Sequence, residues 1–167
     1  MEPVEHASCL VCQRIAAIQA REDPYFVAEV DSGYIVLGDY QFFRGYTLLL
    51  SRHHVTELHA LALPERQQYL REMSLVAEAV FQAFRPRKLN YELLGNSDPH
   101  LHWHLFPRYA DDPSPGTTSW KVDKALRYSP AARPSSEALA ALKQQLLDAL
   151  LTIPDLAIRA TWLRPPG

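Results

Sequence analysis

Three histidines that alternate with apolar residues are the part of this sequence best suited to chemistry. His100, His102 and His104 are separated by single apolar residues. Because side chains of a β-strand alternate between its two faces, the spacing predicts that the histidines share one face and that the apolar residues bury the other. Arg108 follows and is a candidate substrate-binding residue, since imidazoles beside a guanidinium suit a site that handles phosphate.

Other roles would also account for histidines in a strand. A single histidine is most often a satisfied polar residue, and a pair two residues apart on a strand can ligate zinc. A purification tag lies at a chain end and lacks interleaved apolar residues, so it does not fit this run. Three of the seven histidines alternate strictly with apolar residues, and this arrangement is hard to explain by chance. Phosphate chemistry and metal binding therefore stay open.

Both cysteines of the chain lie close together, at Cys9 and Cys12. In a secreted protein they could form a disulfide, whereas in a reducing compartment this spacing is typical of half a zinc site or of a redox pair. A redox pair is expected in a thioredoxin-like βαβ unit, and the sequence shows no such unit. With His100 and one histidine at 53–54, the cysteines complete a tetrahedral ligand set for structural zinc. The alternative is packing of two half-buried thiols in a helix.

The elements that would position these residues follow from apolar spacing and turn residues. The sequence predicts helices at 9–20, 64–84 and 138–151, and strands at 26–30, 34–37, 46–50, 89–94 and 100–106. Strands and helices do not alternate as βαβ, so we expect an α+β fold in which a long helix crosses a mainly antiparallel sheet. We expect one domain over 1–167, with a core at about 9–109 and a C-terminal loop, helix and tail at 110–167.

Composition narrows the class of partner. The chain has 167 residues, a formal net charge of −2 and a pI near 6.4, so no broad basic surface predicts binding of a nucleic acid polymer. A nucleotide needs only a local pocket. No run approaches the roughly 20 apolar residues that span a membrane. Residues Met1–Ser8 have neither the basic nor the apolar region of a secretory signal, so the expected compartment is the cytoplasm.

The run around the histidines closely resembles the histidine-triad (HIT) family of nucleotide hydrolases and transferases. That family's signature is three histidines separated by single apolar residues, and 100–106 matches it at every position. Gly95, Asn96 and Ser97 resemble the family's glycine, amide and hydroxyl run, and a weak likeness extends from Cys9 to about Tyr109. The resemblance implies a HIT-like fold with a five-stranded antiparallel sheet in each subunit, and two such subunits usually pair into a homodimer.

The resemblance also implies a role for each matching side chain. His102 matches the nucleophile that bonds to the nucleotide, and His104 matches the histidine that hydrogen-bonds to the phosphate. Ser97 matches a hydroxyl near the leaving group, and Asn96 matches the adjacent amide. Asp39 corresponds to an acidic residue that binds the ribose hydroxyls. Phe42 and Phe43 are further candidates, for base stacking.

Some HIT proteins bind zinc through two cysteines and two histidines, the last being the first histidine of the triad. The same arrangement here implies Cys9, Cys12, His54 and His100 as ligands, with His54 the better match of the two adjacent histidines. Four protein ligands leave no open coordination position, so the zinc would be structural.

The function that the resemblance implies is hydrolysis at the α-phosphate of dinucleoside polyphosphates or nucleoside phosphoramidates, through a nucleotidyl-histidine intermediate. A nucleotidyltransferase or phosphorylase using the same histidine is an alternative. His104 favours the hydrolase. The sugar-nucleotide transferase branch has a similar pattern, but it is expected to carry glutamine in place of this third histidine. A catalytically weak nucleotide-binding protein is the third candidate, which the presence of all three histidines and Ser97 disfavours.

Overall fold

A five-stranded antiparallel sheet forms the centre of the computed structural model, which describes residues 8–163. The strands follow the order β1-β2-β3-β5-β4, and every neighbouring pair is antiparallel. They are β1 (Phe26–Glu29), β2 (Gly33–Leu37), β3 (Thr47–Ser51), β4 (Lys88–Leu93) and β5 (His102–Arg108). The predicted antiparallel α+β architecture is confirmed. Residues 1–7, which make up most of the segment expected to lack a secretory signal, and the tail end at 164–167 lie outside the described residues.

Four α-helices accompany the sheet within residues 8–163. They are α1 (Leu10–Gln19), α2 (Leu63–Phe84), α3 (Lys124–Arg127) and α4 (Ser136–Leu150). Pro64 and Glu65 occupy the first turn of α2, where a missing N–H costs nothing and a negative charge favours the helix dipole. None of these helices combines the length and the apolar character that crossing a lipid bilayer requires.

The main core lies between one face of the sheet and helices α2 and α4. Ile35, Leu49 and Leu105 from three strands pack in one buried cluster with Val80 of α2 and Leu146 of α4. Full burial of one such side chain contributes about 1.5–3 kcal/mol to stability. Because side chains alternate along β5, burying Leu105 toward α2 turns its even-numbered neighbours to the opposite face.

The opposite face of the sheet is covered by α1 on one side and by the chain after β5 on the other. Val11 and Ile18 of α1 pack against Val36 and Leu50 of the sheet. Beyond β5, the chain returns across this face to α3, and Val122 is buried in a small aromatic cluster there. His102 and His104 of β5 therefore lie in the gap between α1 and this returning segment.

Candidate functional site

Two of the three alternating histidines lie side by side on β5. The ring centroids of His102 and His104 are 4.6 Å apart, and their side chains are 6% and 8% exposed. His100 precedes the strand, and its ring lies instead beside the two cysteines. The predicted shared face therefore holds for His102 and His104 but not for His100.

A backbone carbonyl fixes the tautomer of His102. The Nδ1 atom of His102 lies 2.5 Å from the carbonyl oxygen of His100. A carbonyl oxygen can only accept a hydrogen bond, so Nδ1 carries the proton and donates it. Nε2 of the neutral ring therefore keeps its lone pair, and this is the nitrogen that can act as a nucleophile.

His104 is held in its neutral form. Its Nδ1 atom lies 2.7 Å from the hydroxyl of Tyr46, whose ring stacks on Phe106 with centroids 4.1 Å apart. Burial and, secondly, the nearby His102 lower the pKa of His104 to about 3. Burial raises the pKa of Tyr46, so its hydroxyl keeps its proton. The two side chains form a neutral hydrogen-bonded pair beside His102.

Two cavities meet at this pair of histidines. The first, of about 390 Å³, is lined by Asp39 and by apolar residues of α1 and β3. The second, of about 290 Å³, is lined by the loop after β4, which carries Asn96 and Ser97. The residues that line both are Asp98, His102, His104, Trp120 and Tyr128. The structure thus brings Asp39 to one side of the histidines and Asn96 with Ser97 to the other.

Asp39 is held at the edge of the first cavity by Arg14 of α1. The Nη2 atom of Arg14 lies 2.6 Å from Oδ1 of Asp39, and its Nε lies 2.8 Å from Oδ2 of the buried Asp23. The two carboxylates therefore orient the guanidinium, and the guanidinium orients Asp39. The Asp39 side chain is 42% exposed, which leaves it accessible to a ligand.

Arg108 does not reach the histidines. It is 3% exposed, and its Nε atom lies 2.5 Å from Oδ2 of Asp112. Its terminal nitrogens donate to Asn90 and to the carbonyl oxygens of Ser114 and Thr117. The loop after β5 folds back over the guanidinium, which lies beyond Phe106 on the strand. Arg108 thus fastens this loop and lines neither of the two cavities.

The four residues implied as metal ligands do come together. One ligand atom from each of Cys9, Cys12, His54 and His100 lies within 4.8 Å of the others. Cys12 Sγ is 3.2 Å from His54 Nδ1 and 3.5 Å from His100 Nδ1, and Cys9 Sγ is 3.6 Å from His100 Nδ1. Ligands at the usual zinc–sulfur and zinc–nitrogen bond lengths stand about 3.3–3.8 Å apart in a tetrahedron. The cluster is therefore of a size that fits one metal ion.

Hydrogen bonds to the backbone orient Cys9 and His100 within this cluster. Cys9 is the N-cap of α1, and its sulfur accepts a hydrogen bond from the backbone N–H of Cys12 at 3.4 Å. Nε2 of His100 lies 2.8 Å from the carbonyl oxygen of Ser51, so Nε2 carries the proton and Nδ1 faces the sulfurs with its lone pair. Burial and the neighbouring Cys9 raise the pKa of the Cys12 thiol to about 11. A cation would offset the cost of placing two thiolates together here.

Comparison with known proteins assigns the family. The family model for the HIT domain matches residues 19–111. The chain belongs to the HIT family. Protein hit of Bacillus subtilis (strain 168) is 26% identical over 124 residues, which cover 69% of this chain and 80% of that protein. Membership of the HIT family supports a nucleotide hydrolase or transferase activity in general.

Solved HIT structures share the fold. A histidine triad protein from Marinobacter aquaeolei VT8 superimposes with a TM-score of 0.65 and 25% identity, over 77% of this chain and 89% of that chain. A zinc-bound histidine triad family protein from Mycobacterium smegmatis has a TM-score of 0.56 and 21% identity, over 84% of this chain and 96% of that chain. These structures confirm the predicted HIT-like fold.

Sequence reasoning missed the aromatic side chains contributed by the segment after the HIT match. The match ends at residue 111, whereas Trp120 and Tyr128 line both cavities of the site. The predicted base-stacking residues Phe42 and Phe43 line neither cavity, and Phe43 is buried against Phe106. A dense group of aromatic and basic residues at 120–128 is the signal that could have drawn attention to this segment.

The neutral state of His104 makes the stability of this HIT chain depend on pH. Because the pKa of His104 is lowered to about 3 in the folded state, the unfolded chain binds this proton more readily. The stability contributed by neutral His104 is complete above the unfolded pKa near 6.5 and is lost as the pH falls from there toward 3. Between about pH 7 and pH 5, we expect the wild type to lose about 2 kcal/mol more than His104→Gln, as measured by urea unfolding.

Unfolding of the wild type and His104→Gln at about pH 8 is the control. At that pH His104 is almost entirely neutral in both the folded and the unfolded chain, so its ionisation contributes little to stability. The other titrating groups are common to both proteins and cancel in the difference. Equal slopes of stability against pH for the wild type and His104→Gln would contradict a buried, neutral His104.

Proposed function

We propose that this HIT chain is a nucleotide hydrolase that cleaves at the α-phosphate of dinucleoside polyphosphates or nucleoside phosphoramidates through a nucleotidyl-His102 intermediate. The observation that carries the proposal is the hydrogen bond from His102 Nδ1 to the His100 carbonyl oxygen, at 2.5 Å. It directs the Nε2 lone pair of His102 away from the backbone, and His102 lines both cavities. A phosphorus atom bound between the cavities would face this nitrogen.

The first step forms a bond from His102 Nε2 to the α-phosphorus while the bond from phosphorus to the leaving group breaks. The imidazole becomes a cation, because both of its nitrogens are then substituted. The His100 carbonyl oxygen stabilises that cation by accepting the Nδ1–H hydrogen bond. Water then attacks the phosphorus, and the Nε2–phosphorus bond breaks to release a nucleoside monophosphate and a proton.

The surrounding side chains take matching roles in this proposal. Tyr46 donates to Nδ1 of His104, so that His104 Nε2–H can donate to a phosphate oxygen. Asp39 binds the ribose hydroxyls from the first cavity. Asn96 and Ser97 donate to the leaving group from the second cavity.

We also propose that Cys9, Cys12, His54 and His100 hold one structural zinc ion. Two cysteine sulfurs and two imidazoles whose ligand atoms lie within 4.8 Å of one another support this assignment, and so does the zinc-bound relative from Mycobacterium smegmatis. The ion would supply structural rigidity and no chemistry, because four protein ligands close its coordination sphere. A fixed His100 in turn holds the carbonyl oxygen that orients His102.

The expected homodimer and the expected cytoplasmic location belong to the same proposal. β4 is an outer strand of the sheet, and Tyr91 on it is 49% exposed. An outer strand with unpaired backbone groups and an exposed aromatic residue is a suitable surface for a second copy.

A transferase is the main rival, since it would use the same histidines and differ only in the acceptor that takes the nucleotide from His102. The dependence of turnover on an added acceptor distinguishes a hydrolase from a transferase. With water alone, a hydrolase releases nucleoside monophosphate steadily, whereas a transferase stalls after one turnover until an acceptor such as phosphate is added. A binding protein with a vestigial site gives neither product.

The covalent intermediate tests the mechanism. Rapid quenching at high pH, where phosphohistidine bonds persist better than in acid, is expected to trap a nucleotidyl group on the peptide that contains His102. Peptide mapping by mass spectrometry identifies the modified residue, and the nearby Ser97 and Asp98 are the rival acceptors. Steady turnover with an unmodified His102 peptide would indicate direct attack by water and contradict the two-step mechanism.

A further inference from the structure

We propose that residues 119–133 form a subsite for the base of the leaving group, in which Trp120 and Tyr128 stack on the base. This segment follows the region that matches the HIT domain. The inference rests on the proposed function and narrows its substrate class to dinucleoside polyphosphates.

The segment is fastened to the HIT core at both ends. At its start, the carboxylate of Glu92 on β4 accepts hydrogen bonds from the hydroxyl of the buried Ser119, at 3.1 Å, and from the indole N–H of Trp120. At its end, the backbone N–H of Gln41 donates to the carbonyl oxygen of Ala132 at 2.7 Å. These contacts hold the segment over the histidine pair as a built part of the site.

Its aromatic rings lie where the two cavities meet. Trp120 and His104 pack in a T-shaped arrangement, with ring centroids 5.4 Å apart and planes at 87°. The Tyr128 ring packs edge-on against Tyr40 at 5.1 Å. Trp120 remains 37% exposed and Tyr128 44% exposed, so both offer apolar surface to a ligand at the reacting phosphate.

The lining of the second cavity indicates what these rings bind. That cavity is otherwise lined by Leu94, Gly95, Asn96, Ser97 and Asp98. Within the described residues, Trp120 and Tyr128 are thus its aromatic side chains besides the two histidines. A flat base stacks favourably on such rings, whereas ammonia or a small amine as leaving group would not cover them.

Arg127 packs against both of these rings. The guanidinium carbon of Arg127 lies 5.0 Å from the centre of the Trp120 ring and 5.2 Å from that of Tyr128. Arg127 Nε donates to the Val122 carbonyl oxygen at 2.9 Å, which orients the side chain. Its guanidinium therefore holds the two rings in position beside the cavities.

Substrate selectivity tests the subsite. The probes are diadenosine tetraphosphate, whose leaving group carries a base, and adenosine 5′-phosphoramidate, whose leaving group does not. Stacking of one base on an aromatic ring corresponds to about 5–150-fold in affinity. We therefore expect Trp120→Ala to lower the ratio of kcat/KM for the tetraphosphate to kcat/KM for the phosphoramidate by at least about 5-fold. Tyr128→Ala is expected to lower the same ratio.

Leu126→Ser is the matched control, because Leu126 is exposed on the same short helix and lines neither cavity. It is expected to keep the wild-type ratio. If Trp120→Ala and Tyr128→Ala lower both kcat/KM values equally, the segment only supports His104 and the subsite is wrong. If Trp120→Ala fails to fold, Tyr128→Ala tests the subsite, because Tyr128 is half-exposed and its loss disturbs the core little. A wild type that turns over neither probe would contradict the proposed function itself, and this subsite with it.

Discussion

Turnover is expected to fall by about 10³-fold or more when His102 is replaced by alanine, because no other group can take the place of a covalent nucleophile. Nucleotide binding should change little, since the lining of both cavities by Asp39, Asn96 and Trp120 is retained. The measurement is kcat from product analysis with several nucleotides, together with the Kd of a nucleoside monophosphate from calorimetry. His102→Asn gives the same expectation with a polar side chain in the site.

His59→Ala is the matched control for this prediction, because His59 is exposed and lies outside both cavities. It removes an imidazole from the chain without touching the site and should keep the wild-type rate. A near wild-type rate for His102→Ala would show that His102 is not the nucleophile. If His102→Ala greatly weakened nucleotide binding but kept the wild-type kcat, His102 would be a substrate-binding residue instead.

The second large effect is expected from the metal cluster. The freshly purified chain should carry about one zinc per subunit, measured by plasma mass spectrometry. Cys9→Ser should lower the zinc content and cost several kcal/mol of stability, because binding to a site that forms only in the folded state is coupled to folding. For a chain of this size, that loss corresponds to a fall in Tm of roughly 10 °C.

The adjacent histidines His53 and His54 provide the matched control. Nδ1 of His54 lies 3.2 Å from the sulfur of Cys12, whereas His53 is half-exposed and pairs with Glu65 at 3.4 Å. His54→Ala should therefore behave like Cys9→Ser, and His53→Ala should keep its zinc. Protein isolated without chelators that contains no zinc would remove this hypothesis and leave Cys9 and Cys12 as packing residues.

The secondary structure could be predicted because its patterns are local. The sequence predicts a helix at 64–84, and α2 spans Leu63–Phe84, since apolar residues at helical spacing over many turns permit few alternatives. The sequence predicts a strand that begins at His100, whereas β5 begins at His102. The reason is a partner in another loop: the N–H of Leu101 donates to the carbonyl oxygen of Val55, at 2.8 Å, and this path turns His100 toward the cysteines.

The site was only partly accessible to sequence reasoning. The residues implied by the HIT resemblance at positions 39, 96, 97, 102 and 104 do lie around two joined cavities. The sequence predicts Arg108 as a substrate-binding residue, but the loop beyond β5 places Asp112 against it, with Arg108 Nε 2.5 Å from Asp112 Oδ2. Trp120 and Tyr128 had no motif to mark them, because their role depends on where the chain returns after Arg108.

Residue types and their spacing along the chain were enough to predict the alternating histidines, an antiparallel α+β fold and a metal site made of two cysteines, His100 and one histidine at 53–54. These properties depend on side-chain chemistry and on the periods of helix and strand, which are short-range. The choice of His54 came from the HIT resemblance. Only the tertiary structure separated His100 from His102 and His104, set the tautomer of His102 and placed Trp120 beside His104. Each of these depends on distances between segments far apart in sequence, and such distances are decided by how the helices and loops pack on the sheet.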